Sequence, residues 1–340
     1  MIKSLINQYQ TKEVEFINRG KQPTTIQVLT EKSPSAKVSF PEFTKREVER
    51  HNNHGQNRTG VKKGHLISKV VAYYGSEDVQ FDDITVTFLK GYENYWTLKG
   101  NQINTIQTDF KGLRAIIRSA VMEGIITSEE NPFNKYKIKS AKTFRDKLTE
   151  EEIKKLEVIE LETDSREWHA RNMFVLSYYC AGIRFGDLLQ LKWDNIQGDH
   201  LNYVMDKTGD PHAVLLAPGA KAILAFYRRP YSKASMFIFP FLKNDIDYSN
   251  YEYLTQQISS ANTIVNKQLK NVTKMVGIRK KVSFHISRHS FAYMAIRKTG
   301  DLYGVSKSLN HKKLNTTEIY LKETDPDAAD SLMKRIFNQV

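Results

Sequence analysis

LNHKKLNTTEIY, residues 309–320, places one histidine and one tyrosine at a specific spacing in this 340-residue sequence. His311 precedes Tyr320 by nine positions. Asn310 stands directly before the histidine, and asparagine is the residue other than glycine that best tolerates the left-handed backbone of a helix end. A tyrosine near a C-terminus says little by itself, so its meaning depends on the segments upstream.

The segment FHISRHSFA, residues 284–292, combines basic and apolar residues at helical spacing. His285 and Arg288 are three positions apart and therefore share one face of a helix. Phe291 and Met294 can anchor the same helix in a core. An ordinary surface pair on an amphipathic helix is the alternative, and without the other motifs it would be the better interpretation.

The segment AGIRFGDLLQL, residues 181–191, predicts a turn between two helices. Gly182 would end the first helix and Asp187 would begin the second. Arg184 is then left in the turn, from which a guanidinium can reach outward. The alternative is a surface arginine that pairs with Asp187.

The segment HLNYVMDKTGDPHAVLLAP, residues 200–218, predicts two short strands around a Lys-Thr-Gly-Asp-Pro turn. Lys207 lies at the tip of this hairpin, where a flexible ammonium group can approach a bound phosphate backbone as a point charge. Hairpin turns often carry lysine, so this feature is weak in isolation.

Taken together, these motifs resemble the tyrosine recombinase (phage integrase) family. That family carries an arginine in a Gly-x-Arg turn, a lysine on a hairpin, His-x-x-Arg, a histidine or tryptophan after Leu-Gly, and a nucleophilic tyrosine. The 23 residues from Arg288 to His311 and the nine from His311 to Tyr320 match the family's spacings. The corresponding residues of this sequence are Arg184, Lys207, His285, Arg288, His311 and Tyr320.

The resemblance covers about residues 38–325, and its departures are mild. Ala181 replaces the usual threonine before the glycine of the turn, Ile286-Ser287 replaces the more frequent Asp-Leu, and Asn310 replaces a glycine. None of these changes removes a catalytic group.

The resemblance implies a reaction without metal or cofactor that cuts and rejoins DNA through a phosphotyrosine. Tyr320 is the implied nucleophile, and because a phenol has an unperturbed pKa of ~10, its proton must leave as bonding begins. His285 is the candidate base. The two arginines would clamp the phosphate oxygens that gain charge in the transition state. His311 would add a hydrogen bond, and Lys207 would protonate the departing 5′-oxygen.

The implied partner is double-stranded DNA with a specific recombination site, on which four protomers would exchange strands through a Holliday junction. Accessory DNA-bending or directionality proteins are further candidate partners. A type IB topoisomerase is the rival enzyme, and the separate helical domain before the catalytic half favours the recombinase. A DNA-binding regulator that does not cut is the rival from another class, although all six motif residues are present.

Two domains are expected from the length and from the change of pattern along the chain. The segment 124–133 looks like the end of the family's helical core-binding domain, and Thr149 and Glu152 fit a capping box that opens a new helix. The predicted segments are residues 1–37 (helix and connector), 38–138 (core DNA-binding domain), 139–148 (linker), 149–325 (catalytic domain) and 326–340 (a tail that docks on a neighbouring protomer or folds back). For residues 1–37 the alternatives are a remnant of an arm-binding domain, a truncated arm-binding domain, or a simple recombinase without one.

The predicted fold is mainly α-helical with a small antiparallel sheet, and its two domains would close as a clamp on DNA. The net charge of +13 favours a polyanionic partner, and both halves are basic, with 24 Lys/Arg against 17 Asp/Glu in residues 1–150 and 27 against 21 in residues 151–340. Solvated lysine-rich faces are the alternative. Candidate DNA contacts on helices of the first half are Arg58, Lys62, Lys63, Lys69, Lys111, Arg114 and Arg118.

Several classes of protein are disfavoured. Cys180 is the single cysteine, so the chain has no internal disulfide and no cysteine-based zinc site, and this residue is predicted to fill a core. His285 and His289 lie at i and i+4, but no glutamate follows His285 as in the His-Glu-x-x-His zinc motif, so His289 is predicted to pack or to form a structural hydrogen bond. The sequence lacks an apolar run of the roughly 20 residues that cross a bilayer, and a cytoplasmic protein is expected.

Overall fold

The computed structural model describes residues 38–53, 57–141, 146–311 and 313–321. The chain divides between Thr143 and Phe144 into two compact units, and each has its own hydrophobic core. The helix predicted for residues 1–20 and the tail of residues 326–340 lie outside the described residues.

The first unit packs helices around an aromatic-rich core. Phe43, Leu89, Tyr92 and Phe110 are almost completely buried. Thr85 begins the third helix, because its side chain accepts a hydrogen bond from the N–H of Phe88 at 3.2 Å. The helices that the structure describes in this unit are α1 (Phe40–Asn53), α2 (Asn57–Tyr74), α3 (Val86–Leu98) and α4 (Ile103–Met122), with 3₁₀ turns at Phe81–Asp83 and Pro132–Asn134.

Apolar residues at a spacing near 3.6 over residues 59–75 and 103–124 predict helices, and α2 and α4 confirm both predictions. The buried residues Ile106, Phe110, Leu113 and others of α4 recur at helical spacing and face the core. The opposite faces of these helices are left for polar and basic side chains.

The second unit is organised around a helix that is buried on every side. The apolar segment REWHARNMFVLSYYCAG, residues 166–182, predicts a buried helix, and all ten residues from Trp168 to Ser177 are indeed buried. Cys180 directly after it is also buried, and burial raises the pKa of its thiol to about 12. The helices described in this unit are α5 (Glu150–Val158), α6 (Arg166–Tyr179), α7 (Phe185–Leu189), α8 (Pro218–Tyr227), α9 (Tyr251–Met275), α10 (Ile286–Thr299), α11 (Leu302–Ser308) and α12 (Asn315–Leu321).

The capping box predicted at the start of the second unit is present. The side chain of Thr149 accepts a hydrogen bond from the N–H of Glu152 at 3.3 Å, and the Glu152 carboxylate accepts one from the N–H of Thr149 at 2.8 Å. Two free N–H groups of the first turn are thereby satisfied, so α5 begins at Glu150.

A small antiparallel sheet packs beside these helices. Its strands are β1 (Ile196–Gln197), β2 (His200–Val204) and β3 (Pro211–Leu215), in the order β1-β2-β3. The register pairs Leu201 with Val214 and Val204 with Pro211, so residues 205–210 form the turn of the predicted hairpin. The structure adds β1, which the sequence pattern did not indicate.

The mainly helical fold with a small antiparallel sheet is therefore confirmed. Among the described helices, none is long and apolar enough to span a membrane.

Candidate active site

The turn that carries Arg184 is held in an unusual backbone conformation. Helix α6 ends at Tyr179, and α7 begins at Phe185 with Arg184 as its N-cap residue. Between the two helices, both Ala181 and Gly182 have positive φ angles, +53° and +67°. Arg184 thus lies in the predicted turn, although two left-handed residues rather than one reverse the chain.

Glycine is required at position 182 because another chain segment passes directly over it. A Cβ atom on Gly182 would lie 2.7 Å from the Cα of Arg288 and 2.8 Å from its Cβ. The missing side chain lets α10 approach the turn, and this close approach brings Arg288 beside Arg184.

Arg288 is 5% exposed and is fixed by two main-chain carbonyl groups. Its guanidinium donates to the carbonyl oxygen of Gly182 at 2.9 Å and to that of Leu309. Burial, and then the positive charge of Arg184, lowers the pKa of Arg288 to about 10. The group remains a cation at neutral pH and is preorganised to bind an anion.

Asp187 connects the Arg184 turn with the hairpin, a role that the sequence did not indicate. One carboxylate oxygen of Asp187 accepts a hydrogen bond from the N–H of Asp206 at 2.9 Å, and the other lies 3.8 Å from a guanidinium nitrogen of Arg184. Burial raises the pKa of Asp187. The ion pair that was the alternative for Arg184 therefore exists, but it lies within the site. A helix-start aspartate three residues after the arginine was the available signal.

Lys207 is exposed in the turn between β2 and β3, as the sequence pattern predicts. The turn is closed by hydrogen bonds from the N–H of Met205 to the carbonyl of Asp210 at 3.0 Å and from the N–H of Gly209 back to Met205 at 2.8 Å. The sulfur of Met205 also accepts a hydrogen bond from Arg184 at 3.0 Å, which ties the hairpin to the arginine.

His311 follows a left-handed residue, as the sequence predicts. Asn310 has φ +47°, and the N–H of His311 donates to the carbonyl of Ser306 at 2.9 Å. The Nδ1 atom of His311 lies 2.9 Å from the hydroxyl of Thr317, which fixes the ring.

The electrostatic environment of His311 shows that the predicted cations converge. Burial is the largest cause, followed by the nearby charges of Arg288, Arg184, His285 and Lys207, and together they lower the pKa of His311 to about 4. Four residues from three motifs therefore act on one imidazole, and a neutral His311 can donate a hydrogen bond to an anion without adding a further positive charge.

Tyr320 is buried on α12 and contacts α10. Its hydroxyl lies 2.8 Å from Nδ1 of His289, a hydrogen bond that confirms one of the two roles predicted for this histidine. His285 stands exposed at the start of α10, and its ring meets the ring of His289 edge to face at a centroid distance of 4.7 Å. No local sequence pattern predicts the His289–Tyr320 contact, because the two residues belong to different helices.

The candidate DNA contacts of the first unit divide into two groups. Lys63 is a wrong prediction, since its ammonium group is buried and lies 2.7 Å from the carboxylate of Glu47. Burial raises the pKa of Glu47, but the hydrogen bond and charge of Lys63, together with the charges of Arg50 and His51, outweigh it and lower the net pKa. Lys69 is partly buried and pairs with Asp109 at 2.7 Å, so it also serves the unit's own packing.

The remaining basic residues of this unit are accessible. Lys62, Lys111 and Arg118 are exposed, whereas the side chain of Arg58 lies outside the described residues. Lys111 and Arg114 line an open pocket with a volume of about 480 Å³. The other basic and aromatic residues around it are Lys135, Lys137, Phe133 and Tyr136.

The curated relatives of this chain are tyrosine recombinases. A "Tyrosine recombinase" from Pseudothermotoga lettingae is 24% identical over 281 residues, which cover 78% of this chain and 91% of that protein. "Tyrosine recombinase XerC" from Xanthomonas campestris pv. campestris is 27% identical over 165 residues, 48% of this chain and 47% of the relative. The chain thus spans about half the length of the XerC relatives it matches.

Solved structures of integrases share the fold. The Tn1549 transposon integrase, in complex with a circular intermediate DNA, superposes with a TM-score of 0.65 at 15% identity and covers 88% of this chain and 99% of that chain. A lambda integrase tetramer bound to a Holliday junction gives a TM-score of 0.60 at 18% identity, covering 86% and 89%.

Two family profiles match the chain in succession. The "Phage integrase SAM-like domain" matches residues 39–138, and the "Phage integrase family" matches residues 146–326, which is more than half of the sequence. The protein therefore belongs to the phage integrase family.

Proposed function

We propose that this protein is a site-specific DNA recombinase that cuts and rejoins DNA through a 3′-phosphotyrosyl intermediate. The observation that carries the proposal is the set of hydrogen bonds that joins the Arg184 turn to the hairpin of Lys207, and Arg288 to both the Arg184 turn and the segment before His311. A cluster of cations around a neutral donor suits a phosphodiester whose oxygens gain charge during attack.

The two arginines would bind the nonbridging oxygens of the scissile phosphate. Arg288 is held by the carbonyls of Gly182 and Leu309, so its cationic group needs little reorganisation when DNA binds. Arg184 keeps 24% of its side chain exposed and can turn its free N–H groups toward the same phosphate. One guanidinium can donate two parallel hydrogen bonds to two phosphate oxygens, and this geometry holds the phosphorus in position for attack.

His311 and Lys207 would complete the site with different tasks. The pKa of about 4 keeps His311 neutral at pH 7, so that one ring nitrogen carries hydrogen and donates it to the phosphate. Lys207 lies exposed in the turn of the hairpin and can deliver a proton to the departing 5′-oxygen. Tyr320 would form the bond to phosphorus while the 5′-oxygen leaves. The phosphotyrosine conserves the energy of the phosphodiester, so rejoining needs no cofactor.

The proposed partner is duplex DNA that carries a specific recombination site. Four protomers would assemble on two sites and exchange strands through a Holliday junction, and accessory DNA-bending proteins are candidate helpers. The exposed residues Lys62, Lys111 and Arg118 of the first unit, and the half-buried Arg114, would contact phosphates. We place this reaction in the cytoplasm.

The proposal is tested with the target duplex, selected first from a random pool by retention on the full-length protein. A nick is then placed beside the cleavage site, so that the short fragment with the 5′-hydroxyl diffuses away and traps the cleaved state. Wild-type protein is expected to form an adduct with DNA that survives denaturation, and Tyr320→Phe is expected to form none. Two labelled duplexes should also yield recombinant strands. Relaxation of supercoils without strand exchange would favour a topoisomerase, and absence of an adduct would refute the catalytic proposal.

A further inference from the structure

The nucleophile proposed above already has a hydrogen-bond partner, and it is not the histidine of the His-x-x-Arg motif. Nδ1 of His289 lies 2.8 Å from the hydroxyl of Tyr320, and the two rings meet at a centroid distance of 5.5 Å. Tyr320 is 8% exposed and His289 is half-buried, so the contact is shielded on most sides. Both residues project from helices that pack on each other, α10 and α12.

The chemistry of this pair suits a proton transfer. A neutral imidazole that carries its hydrogen on Nε2 presents Nδ1 as an acceptor, and the phenol then donates to it. Unperturbed pKa values of ~10 for tyrosine and ~6.5 for histidine mean that the proton stays on the phenol in the resting site. It can move when bonding to phosphorus makes the phenol oxygen far more acidic.

The placement of His285 is compatible with a different task. His285 is exposed at the N-terminus of α10 and lies among the groups that act on His311. His285 thus lies near the residues proposed to bind the phosphate, one helical turn before His289. Since the rings of His285 and His289 touch at 4.7 Å, His285 can also support the orientation of the His289 ring.

We propose that His289 is a catalytic residue that accepts the proton of Tyr320 during cleavage; this rests on the recombinase function proposed above. The bond from Tyr320 Oη to phosphorus forms while the bond from phosphorus to the 5′-oxygen breaks. The phenol proton passes to Nδ1 of His289, which becomes an imidazolium, and Lys207 supplies the proton that the 5′-oxygen takes up. Religation reverses each transfer, so no oxidant, reductant or additional reactant is needed.

The alternative is that His289 only holds the tyrosine in place, and His289→Asn separates the two roles. The Oδ1 atom of asparagine stands close to the place of Nδ1 and can accept the hydrogen bond, but an amide does not take up a proton at neutral pH. A positioning role predicts cleavage close to that of wild type in this variant. A proton-accepting role predicts cleavage that is ~10²–10⁴-fold slower.

A second variant tests the proton itself. Replacing Tyr320 by 3,5-difluorotyrosine lowers the pKa of the phenol, so the loss of a base should matter less. In His289→Asn, the fluorinated tyrosine is expected to raise the rate of cleavage by about ten-fold or more. The same tyrosine in His285→Asn is expected to restore much less, because that variant keeps the proton acceptor.

The experiment uses full-length protein and the nicked target duplex, with single-turnover rates of adduct formation. Thermal unfolding and retention of the target duplex confirm that each variant folds and binds. Cleavage by His289→Asn within about three-fold of wild type would overturn the inference, as would a slow variant that gains nothing from fluorination. Either result leaves the recombinase proposal intact if the wild-type adduct forms. A wild-type protein without any adduct would refute both.

Discussion

Replacing Gly182 by alanine tests whether the close approach of α10 to the Arg184 turn builds the site. The new Cβ would lie 2.7 Å from the Cα of Arg288, whereas ordinary contacts begin at 3.4 Å. The backbone at this position has φ +67°, and a side chain in the left-handed region costs about 1–2 kcal/mol. Because the obstructing atoms include the main chain, overpacking adds about 1–3 kcal/mol.

We therefore expect Gly182→Ala to lower the free energy of unfolding of the second unit by about 2–5 kcal/mol. The shortfall of about 0.7 Å must be met by moving Arg288 or the turn, and misplacements near 1 Å can cost ~10²-fold in rate. Cleavage of the nicked duplex should accordingly fall by ~10–10²-fold. Urea unfolding followed by the fluorescence of Trp168 and Trp193, in a Trp96→Phe background, reports on the second unit alone.

Gly198→Ala is the matched control, since this glycine has φ +58° in the turn between β1 and β2 and a Cβ there would meet no atom within 4 Å. This variant has the left-handed backbone strain without the steric clash. Its free energy of unfolding should therefore fall by only about 1–2 kcal/mol, and its rate of cleavage should be unchanged. Equal losses of stability and of rate in Gly182→Ala and Gly198→Ala would refute the reasoning.

Three further predictions concern single charged groups. Lys207→Ala should slow cleavage by ~10²–10⁴-fold, and a sulfur in place of the bridging 5′-oxygen should restore the rate, because a thiolate leaves without protonation. Lys63→Ala should destabilise the first unit by about 1–3 kcal/mol, since the buried Glu47 loses the hydrogen bond from Lys63 and keeps only its ion pair with Arg50. Lys62→Ala should leave stability unchanged and reduce the slope of log affinity against log salt by about 1. Because the pKa of His311 is lowered to about 4 in the folded protein, the unfolded chain binds more protons below pH ~6.5, so stability should fall as the pH drops from ~6.5 toward 4, and His311→Gln should flatten part of that fall.

Each of these has a clear contrary result. A Lys207→Ala defect that persists with the sulfur substrate would argue against a general acid. Equal stability of the Lys62 and Lys63 variants, measured by circular dichroism on heating, would contradict the buried ion pair. His169 and His212 also have lowered pKa values and contribute in the same direction, so only part of the fall in stability should disappear in His311→Gln. A pH profile of stability that is unchanged in this variant would contradict the lowered pKa of His311.

Local sequence patterns were sufficient for the parts of the site that depend on local backbone geometry. The turn of Arg184, the hairpin of Lys207 and the left-handed Asn310 before His311 all follow from residues within a few positions, and the structure places them as expected. Turn and cap preferences act over such short distances, so periodicity and glycine or asparagine positions predict them.

Contacts between distant segments were not predictable in the same way. Lys63 and its neighbour Lys62 look alike in the sequence, and only the packing of α1 against α2 buries one of them beside Glu47. The link from Asp187 to the N–H of Asp206 likewise joins residues 19 positions apart. The partner of Tyr320 lies 31 positions upstream, on a helix face set by packing in the core.

In the proposed reaction, Tyr320 forms a covalent bond to the 3′-phosphate of cut DNA. Mass spectrometry of the trapped adduct, after digestion of both protein and DNA, measures this directly. We expect one modified peptide, with a nucleotide 3′-phosphate attached to Tyr320 and a free 5′-hydroxyl on the released strand. A nucleotide attached to any other residue, a 5′-phosphate linkage, or cut DNA without a protein adduct would contradict the account.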